Sequence, residues 1–239
     1  MTSGKLYLIP NTLGGETLQT IIPSEVISLS CELRHFVVEE LKSARRLLRK
    51  MDRSFPIDEC VFIELKKGAS RSHIDQAIRL LGNGFDIGII SEAGCAGIAD
   101  PGADLVAAAH AEGYHVHPMV GPSSILLALI GSGFSGQTFT FHGYLPKERK
   151  DRVRRLKDFE ADTRRTGYTH IFMDTPFRNM HVLDDLLNEL ADHTQLCIAS
   201  NLTLPDESIR TMSVSDWREN AYDLAKIPAL FLIGKSQHT

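Results

Sequence analysis

Short apolar runs alternate with amphipathic stretches along most of this chain, the pattern by which an α/β protein shows itself in sequence. The runs at 5–10 (KLYLIP), 61–65, 87–91 and 114–119 predict strands, with helices between the later ones near 71–83 and 103–112. A shorter β-like piece, Phe36-Val37-Val38, feeds a helix over 40–51 in which Leu41, Ala44, Leu47, Leu48 and Met51 share one stripe. This half is expected to form a parallel sheet. After a turn at 118–122, a helix rich in Leu and Ile follows near 124–132, and the pattern then changes. Residues 138–143 alternate like a half-exposed strand, 147–165 is a charged helical stretch, 169–174 a strand and 177–191 a helix. Three further strand candidates, 195–200, 208–213 and 229–233, are separated by short turns, which favours a mixed sheet over a second parallel one. The economical organisation is two α/β lobes, 1–119 on a parallel sheet and 120–239 on a mixed one, without repeats or a long linker.

Composition adds limits. A chain of 239 residues with 43% hydrophobic content can fill a core, so disorder is excluded as the default. The opening Met1-Thr2-Ser3-Gly4-Lys5 lacks the charged-then-apolar build of a leader, and no stretch approaches the roughly 20 apolar residues of a membrane span. A cytoplasmic protein with no membrane partner is expected. The four cysteines lie far apart with no C-x-x-C pair, which predicts buried reduced thiols. His115 and His117 share a strand face, but no further ligands are identified, and no metal is expected.

Net charge is only −4, which argues against a uniformly polybasic binder, yet the charges are unevenly placed. Residues 42–53 hold six basic side chains and one acidic, and residues 147–165 hold nine and five. A solvated helix face explains one such run. Two of them in an otherwise acidic chain leave a phosphate-rich partner as an equal alternative.

Candidate chemistry gathers after the run at 87–91. A dozen residues, mostly Gly, Ala, Ser or Cys, separate that strand from the next helix, more than a βα connection needs. Small side chains let a ligand approach the backbone, and open α/β sheets bind ligands beyond the carboxyl ends of their strands. A tight turn that needs glycine for its geometry alone is the competing explanation. A dinucleotide site is disfavoured because the following strand ends His115-Val116-His117-Pro118, with no acidic residue for a ribose. No G-K-[ST] follows for a phosphate loop and no G-x-S-x-G marks a hydrolase. Gly121-Pro122-Ser123-Ser124 precedes another apolar helix, where serine hydroxyls and free amides suit a carboxylate, a ribose or simply a helix cap.

Five segments in order resemble the S-adenosylmethionine-dependent tetrapyrrole methylase superfamily, and within it most closely the 16S ribosomal RNA cytidine 2′-O-methyltransferase family. Ile9-Pro10-Asn11-Thr12-Leu13-Gly14 loosely matches T-P-I-G-N-L, and the segment from Val38 to Leu48 matches A-E-D-T-R-x-T-R-R-L-L. Ser91-Glu92-Ala93-Gly94-Cys95-Ala96-Gly97-Ile98-Ala99-Asp100-Pro101-Gly102 matches S-D-A-G-T-P-x-I-S-D-P-G, the most specific motif. Gly121-Pro122-Ser123-Ser124 and Gly143-Tyr144-Leu145-Pro146 match G-P-x-A and G-F-L-P. The chain departs from the family pattern at Glu92, which stands for an aspartate, at Cys95-Ala96 for T-P, at Leu41-Lys42 for T-R, at Met173-Asp174-Thr175-Pro176-Phe177-Arg178 for Y-E-S-x-H-R, and at Asn201-Leu202-Thr203-Leu204 for E-L-T-K.

The resemblance implies a two-lobed methylase, usually a homodimer, with S-adenosylmethionine in the cleft between lobes. Its cofactor residues carry over to Pro10, Glu92, Ala93, Gly94, Ile98, Ser123, Ser124, Met173, Leu202, Thr203 and Ala229. For a ribose 2′-hydroxyl acceptor the candidate base is Glu40, with a helix cap as its alternative role. Lys42, Arg45, Lys147, Arg149, Lys150, Arg152 and Arg178 are the candidates for holding RNA, either ribosomal RNA or the small subunit. Methylation of a tetrapyrrole or another small molecule, or a non-catalytic S-adenosylmethionine-binding interaction protein, are the alternatives.

Overall fold

Five parallel strands, β1 (Lys5–Ile9), β2 (His35–Val38), β3 (Val61–Glu64), β4 (Ile87–Ile90) and β5 (His115–Pro118), form a sheet ordered β3-β2-β4-β1-β5. The computed structural model describes residues 3–15, 17–66, 71–220 and 222–236; Met1 and Thr2 of the opening segment lie outside the described residues. By its contacts the chain divides into two units, Met1–Ser123 and Ser124–Thr239.

Alternation along the strands of the first unit supplies both faces of its sheet. Tyr7, Ile9, Phe36 and Val38 enter one apolar cluster, whereas Leu6, Val37, Ile87 and Ile89 enter another. Helices α1 (Ser24–Glu32) and α2 (Leu41–Met51) contribute to the first cluster, and α3 (Arg71–Gly82) and α4 (Gly102–Ala111) to the second. The stripe foreseen on α2 is the buried one, with Ala44, Leu47 and Leu48 inside. Helix α1 has no counterpart among the predicted elements. Its serines are weak helix formers, and tertiary burial of Val26 and Ser30 fixes it, the Ser30 hydroxyl donating to the Val26 carbonyl at 2.7 Å.

The second unit begins with α5 (Ser124–Ser132) and holds a mixed sheet of β6 (Phe139–Tyr144), β7 (Thr169–Met173), β8 (Gln195–Ser200), β9 (Ser208–Ser213) and β10 (Ala229–Gly234), ordered β6-β7-β10-β8-β9. Only β6 and β7 are parallel; β10 runs antiparallel to β7 and β8, and β8 to β9. Helices α6 (Arg149–Thr166), α7 (Asn179–Glu189) and the unforeseen α8 (Val214–Glu219) pack Leu156, Phe159, Leu186 and Trp217 against Phe172, Ile198 and Phe231. The Trp217 indole donates to the Leu196 carbonyl at 2.9 Å, which satisfies the polar edge of this buried ring.

Candidate functional site

Parallel register fixes where the loops of the first unit emerge. Ile9 of β1 lies opposite Ile90 of β4, so Pro10 and Ser91 leave the sheet side by side. Asn11, buried, joins them: its Nδ2 donates to the carbonyls of Ser91 (3.1 Å) and Glu92 (2.9 Å), and its Oδ1 accepts from the Thr12 amide at 2.8 Å. The Asn11 amide also donates to the Gly94 carbonyl at 2.9 Å. The loop after β5 closes on the same place. A Cβ at Gly121 would stand 2.1 Å from the Cβ of Pro10, so only glycine permits this approach. The Cys95 thiol lies 3.3 Å from the Pro122 carbonyl.

Within this joined group the segment after β4 is a built loop. Gly94 sits at φ +68°, and a side chain there would also crowd Leu13 and the Pro122 carbonyl. Asp100 pins the return into α4, its two carboxylate oxygens accepting from the amides of Gly97 (2.8 Å) and Gly102 (2.7 Å). Burial nevertheless lifts its carboxyl above the ordinary range. Gly94 is buried, whereas Glu92, Ala93 and Ile98 are exposed, and Ile98 is an apolar side chain left open at a strand-end loop.

Two adjacent carboxylates at the end of β2 have separate fates. Glu40 caps α2, its oxygens accepting from the amides of Lys42 (2.9 Å) and Ser43 (2.6 Å), and these bonds hold its carboxyl below the ordinary range. A carboxylate committed to backbone amides is a poorer proton acceptor, and the cap is the alternative role named for Glu40. Glu39 is half-buried and receives the Glu92 amide at 3.4 Å. Its carboxyl is raised, first by burial and then by the charges of Glu92 and Asp100, against the lowering effect of that amide. Glu39 lines a small recess at the carboxyl ends of β2 and β4 with Val38, Ile90, Ser91 and Asp100. The residue type alone gave no reason to choose it over its neighbour.

In the second unit, strand register brings Met173 opposite Leu230 and Ala229 opposite Ser200, and the loop that carries Leu202 and Thr203 follows β8 directly. These four candidates therefore share one end of the mixed sheet. Asn201 and Thr203 hold left-handed φ of 48° and 70°, and Thr203 Oγ1 is buried with no partner among the described residues. Arg178 is tied down: Nε donates to Asp174 Oδ1 at 2.8 Å and Nη2 faces the Leu145 carbonyl at 3.4 Å. Arg178 Nη1 and Asp174 Oδ2 stay buried and unpaired among the described residues. Ser123 ends the first unit and Ser124 starts α5.

The basic candidates divide as well. Arg152 is 6% exposed and grips Asp185 through Nε and Nη2, both at 2.7 Å, while Nη1 donates to the Lys147 carbonyl. That corrects its assignment to substrate: a buried guanidinium spent on a buried carboxylate is unavailable to a phosphate. Arg149 is also committed, to Asp185 (2.8 Å) and Glu189 (2.9 Å). Lys42, Arg45, Lys147 and Lys150 are exposed.

Comparison with known proteins gives these loops a context. The family model described as Tetrapyrrole (Corrin/Porphyrin) Methylases matches residues 24–217. The Ribosomal RNA small subunit methyltransferase I of Thermotoga maritima is 30% identical over 200 residues, 84% of either chain. The protein of that name from Halalkalibacterium halodurans is 31% identical over 81% of this chain and 63% of its own, and the one from Micromonospora olivasterospora 34% over 86% and 61%. The chain thus spans less than two thirds of the length of these last two relatives. Among solved structures, the methyltransferase CobJ matches with a TM-score of 0.62 at 18% identity, covering 98% of this chain and 95% of that one. The cobalt precorrin-4 methyltransferase CbiF matches at 0.61 and 16%, covering 96% and 94%. The expected α/β architecture, parallel sheet first and mixed sheet second, is the one found.

Proposed function

We propose, from the premise that this chain belongs to the tetrapyrrole methylase family, that it transfers the methyl group of S-adenosylmethionine to RNA, at a ribose 2′-hydroxyl of the small ribosomal subunit. The observation that carries this reading is the loop after β4, stitched through Asn11 to the loop after β1 and closed against Gly121 and Pro122. The residues present fit the cofactor. In the first unit, small side chains and the open Ile98 suit an apolar body. The cofactor supplies an activated methyl group on its sulfonium. The chain is then required to orient the acceptor oxygen, exclude water and accept a proton.

Glu39 is the proton acceptor in this proposal, because it is half-buried, raised and beside the Ser91–Glu92 turn, whereas Glu40 is consumed by its cap. Glu39→Gln is expected to lower kcat by roughly 10²–10⁴-fold with S-adenosylmethionine affinity retained. A cytoplasmic homodimer belongs to the same proposal, supported by family resemblance and by Leu126 and Ile130, exposed one helical turn apart on α5.

The test is incorporation of labelled methyl from S-adenosylmethionine. Label is expected in small-subunit RNA, lost with Glu39→Gln. Label in an acidic macrocycle with none in RNA would transfer the proposal to a small-molecule substrate, and cofactor binding without any turnover would point to a non-catalytic protein.

A further inference from the structure

The two basic segments differ in what their charges touch, and we infer that α2, not α6, is the surface that grips the RNA backbone. This rests on the RNA reading above and adds the place. On α6, Arg149 and Arg152 meet Asp185, Arg154 meets Asp151, Lys157 meets Glu189, Arg164 meets Glu160 and Arg165 meets Asp162. Arg155 lies over the Phe159 ring, 4.8 Å from its centroid. The positive charge of that helix is largely neutralised within the fold.

Helix α2 and its C-terminal extension are the opposite case. Lys42, Arg45, Arg46, Arg49, Lys50 and Arg53 are all exposed, and none stands within salt-bridge distance of a carboxylate among the described residues. The acids at either end are hydrogen-bonded to the backbone rather than paired, though Glu40 still feels Lys42 and Asp52 feels Arg49. Glu40 receives the amides of Lys42 and Ser43, and Asp52 Oδ1 receives the amide and hydroxyl of Ser54. Lys42, Arg46 and Lys50 therefore form one line of like charge along the helix, in steps of four residues, about 6 Å along the axis, and Arg45 and Arg49 a second, with Arg53 just past the helix end. Like charges at this spacing repel, so the fold gains nothing from lining them up.

An extended polyanion supplies what the fold withholds, because its phosphates repeat along a line as these side chains do. The second line is partly held, by Arg45 over the Phe62 ring (5.4 Å) and by Arg49 Nη1 on the Arg53 carbonyl (2.7 Å). Lys42, Arg46 and Lys50 are the freest. The helix is also well placed, since its buried stripe anchors it to the sheet and its first residue follows Glu39 and Glu40, the former holding the amide of Glu92. RNA lying on α2 is thereby led to the loop proposed to hold the cofactor.

The test compares the full-length triple variant K42Q/R46Q/K50Q with a control on α6, R154Q/K157Q/R164Q, which removes the same number of charges. Anisotropy of a labelled single-stranded RNA of small-subunit sequence is followed across a salt series, with calorimetry of S-adenosylmethionine on each protein. The α2 variant is expected to bind about tenfold or more weakly and to lose roughly 2 from the slope of log K against log salt, with cofactor affinity intact. The control is expected to keep the parent's affinity and slope. Unchanged RNA binding by the α2 variant overturns the inference. If the parent binds RNA through α2 but methylates none, the functional reading falls and the inference stands. If the parent methylates RNA and the α2 variant binds like it, the inference alone falls.

Discussion

Asn11 holds three polar groups at once, two carbonyls from the loop after β4 and the amide of Thr12. Asn11→Ala leaves them unpaired in a buried place, so a stability loss of about 1–3 kcal/mol in urea unfolding is expected, together with weaker binding of S-adenosylmethionine by calorimetry. Parent-like values in both would remove Asn11 from the site. Arg152 makes a different point. Arg152→Ala breaks a buried pair and is expected to cost about 3 kcal/mol, near the low end for such pairs because Arg149 still faces Asp185. A change within experimental scatter would contradict the structural role. Sequence identified both residues as polar side chains within informative segments. Their jobs were hidden because burial and partner choice are tertiary: Asn11 meets residues 80 and 81 positions away, and Arg152 one 33 away. Sequence singled out Glu40 and passed over Glu39, and only the backbone at the helix start showed the Glu40 carboxylate engaged in the cap.

Elements were more legible than residues, since apolar spacing reports directly on the face each strand or helix buries. All ten strands among the described residues fall on runs visible in the chain, and the short turns between the last three runs marked the change from a parallel to a mixed sheet. The misses, α1 and α8, are short helices fixed by packing, although Ser213 capping the amide of Asp216 and the Val214/Trp217 pair left a faint trace of α8. Charge on an element was read only as a sum. Neutralising Lys42, Arg46 and Lys50 removes two like-charge pairs at four-residue spacing, so the variant is expected to be slightly more stable, by roughly 0.4–1 kcal/mol, measurable as a raised urea midpoint. A lower midpoint would mean that these charges have favourable partners in the fold.

Strands β6 and β7 carry a second element-scale consequence. His142 Nε2 and His170 Nδ1 are 2.8 Å apart, with Asp162 on the far side of His170 and Arg155 against His142. Burial first, then the charges of His170 and Arg155, pull His142 down to about 4 despite Asp162; burial and Arg155 lower His170 against the same carboxylate. Because both values lie below that of a free histidine, the unfolded chain takes up these protons first as pH falls. Their stabilising effect is complete above the ordinary histidine value and declines as pH falls from there towards about 4. The urea midpoint is expected to drop between pH 7.5 and 5, less so in His142→Gln; identical profiles would contradict this.

At the scale of the whole molecule, a net charge of −4 conceals a body on which one basic helix is neutralised and another is not. Family membership was legible because the glycine-rich loop and its flanking segments are local in sequence. The acceptor was less so, since segments around Leu41-Lys42 and 173–178 depart from the family pattern, and with them the candidates Lys42 and Arg178 for holding RNA sit in altered surroundings. The most direct measurement maps ribose methylation across small-subunit ribosomal RNA from a strain lacking this chain and from its parent. A ribose methyl group present in the parent, absent without the chain and restored by the intact protein but not by Glu39→Gln is the expected result. Identical methylation maps in both strains would contradict RNA 2′-O-methylation as the activity of this protein.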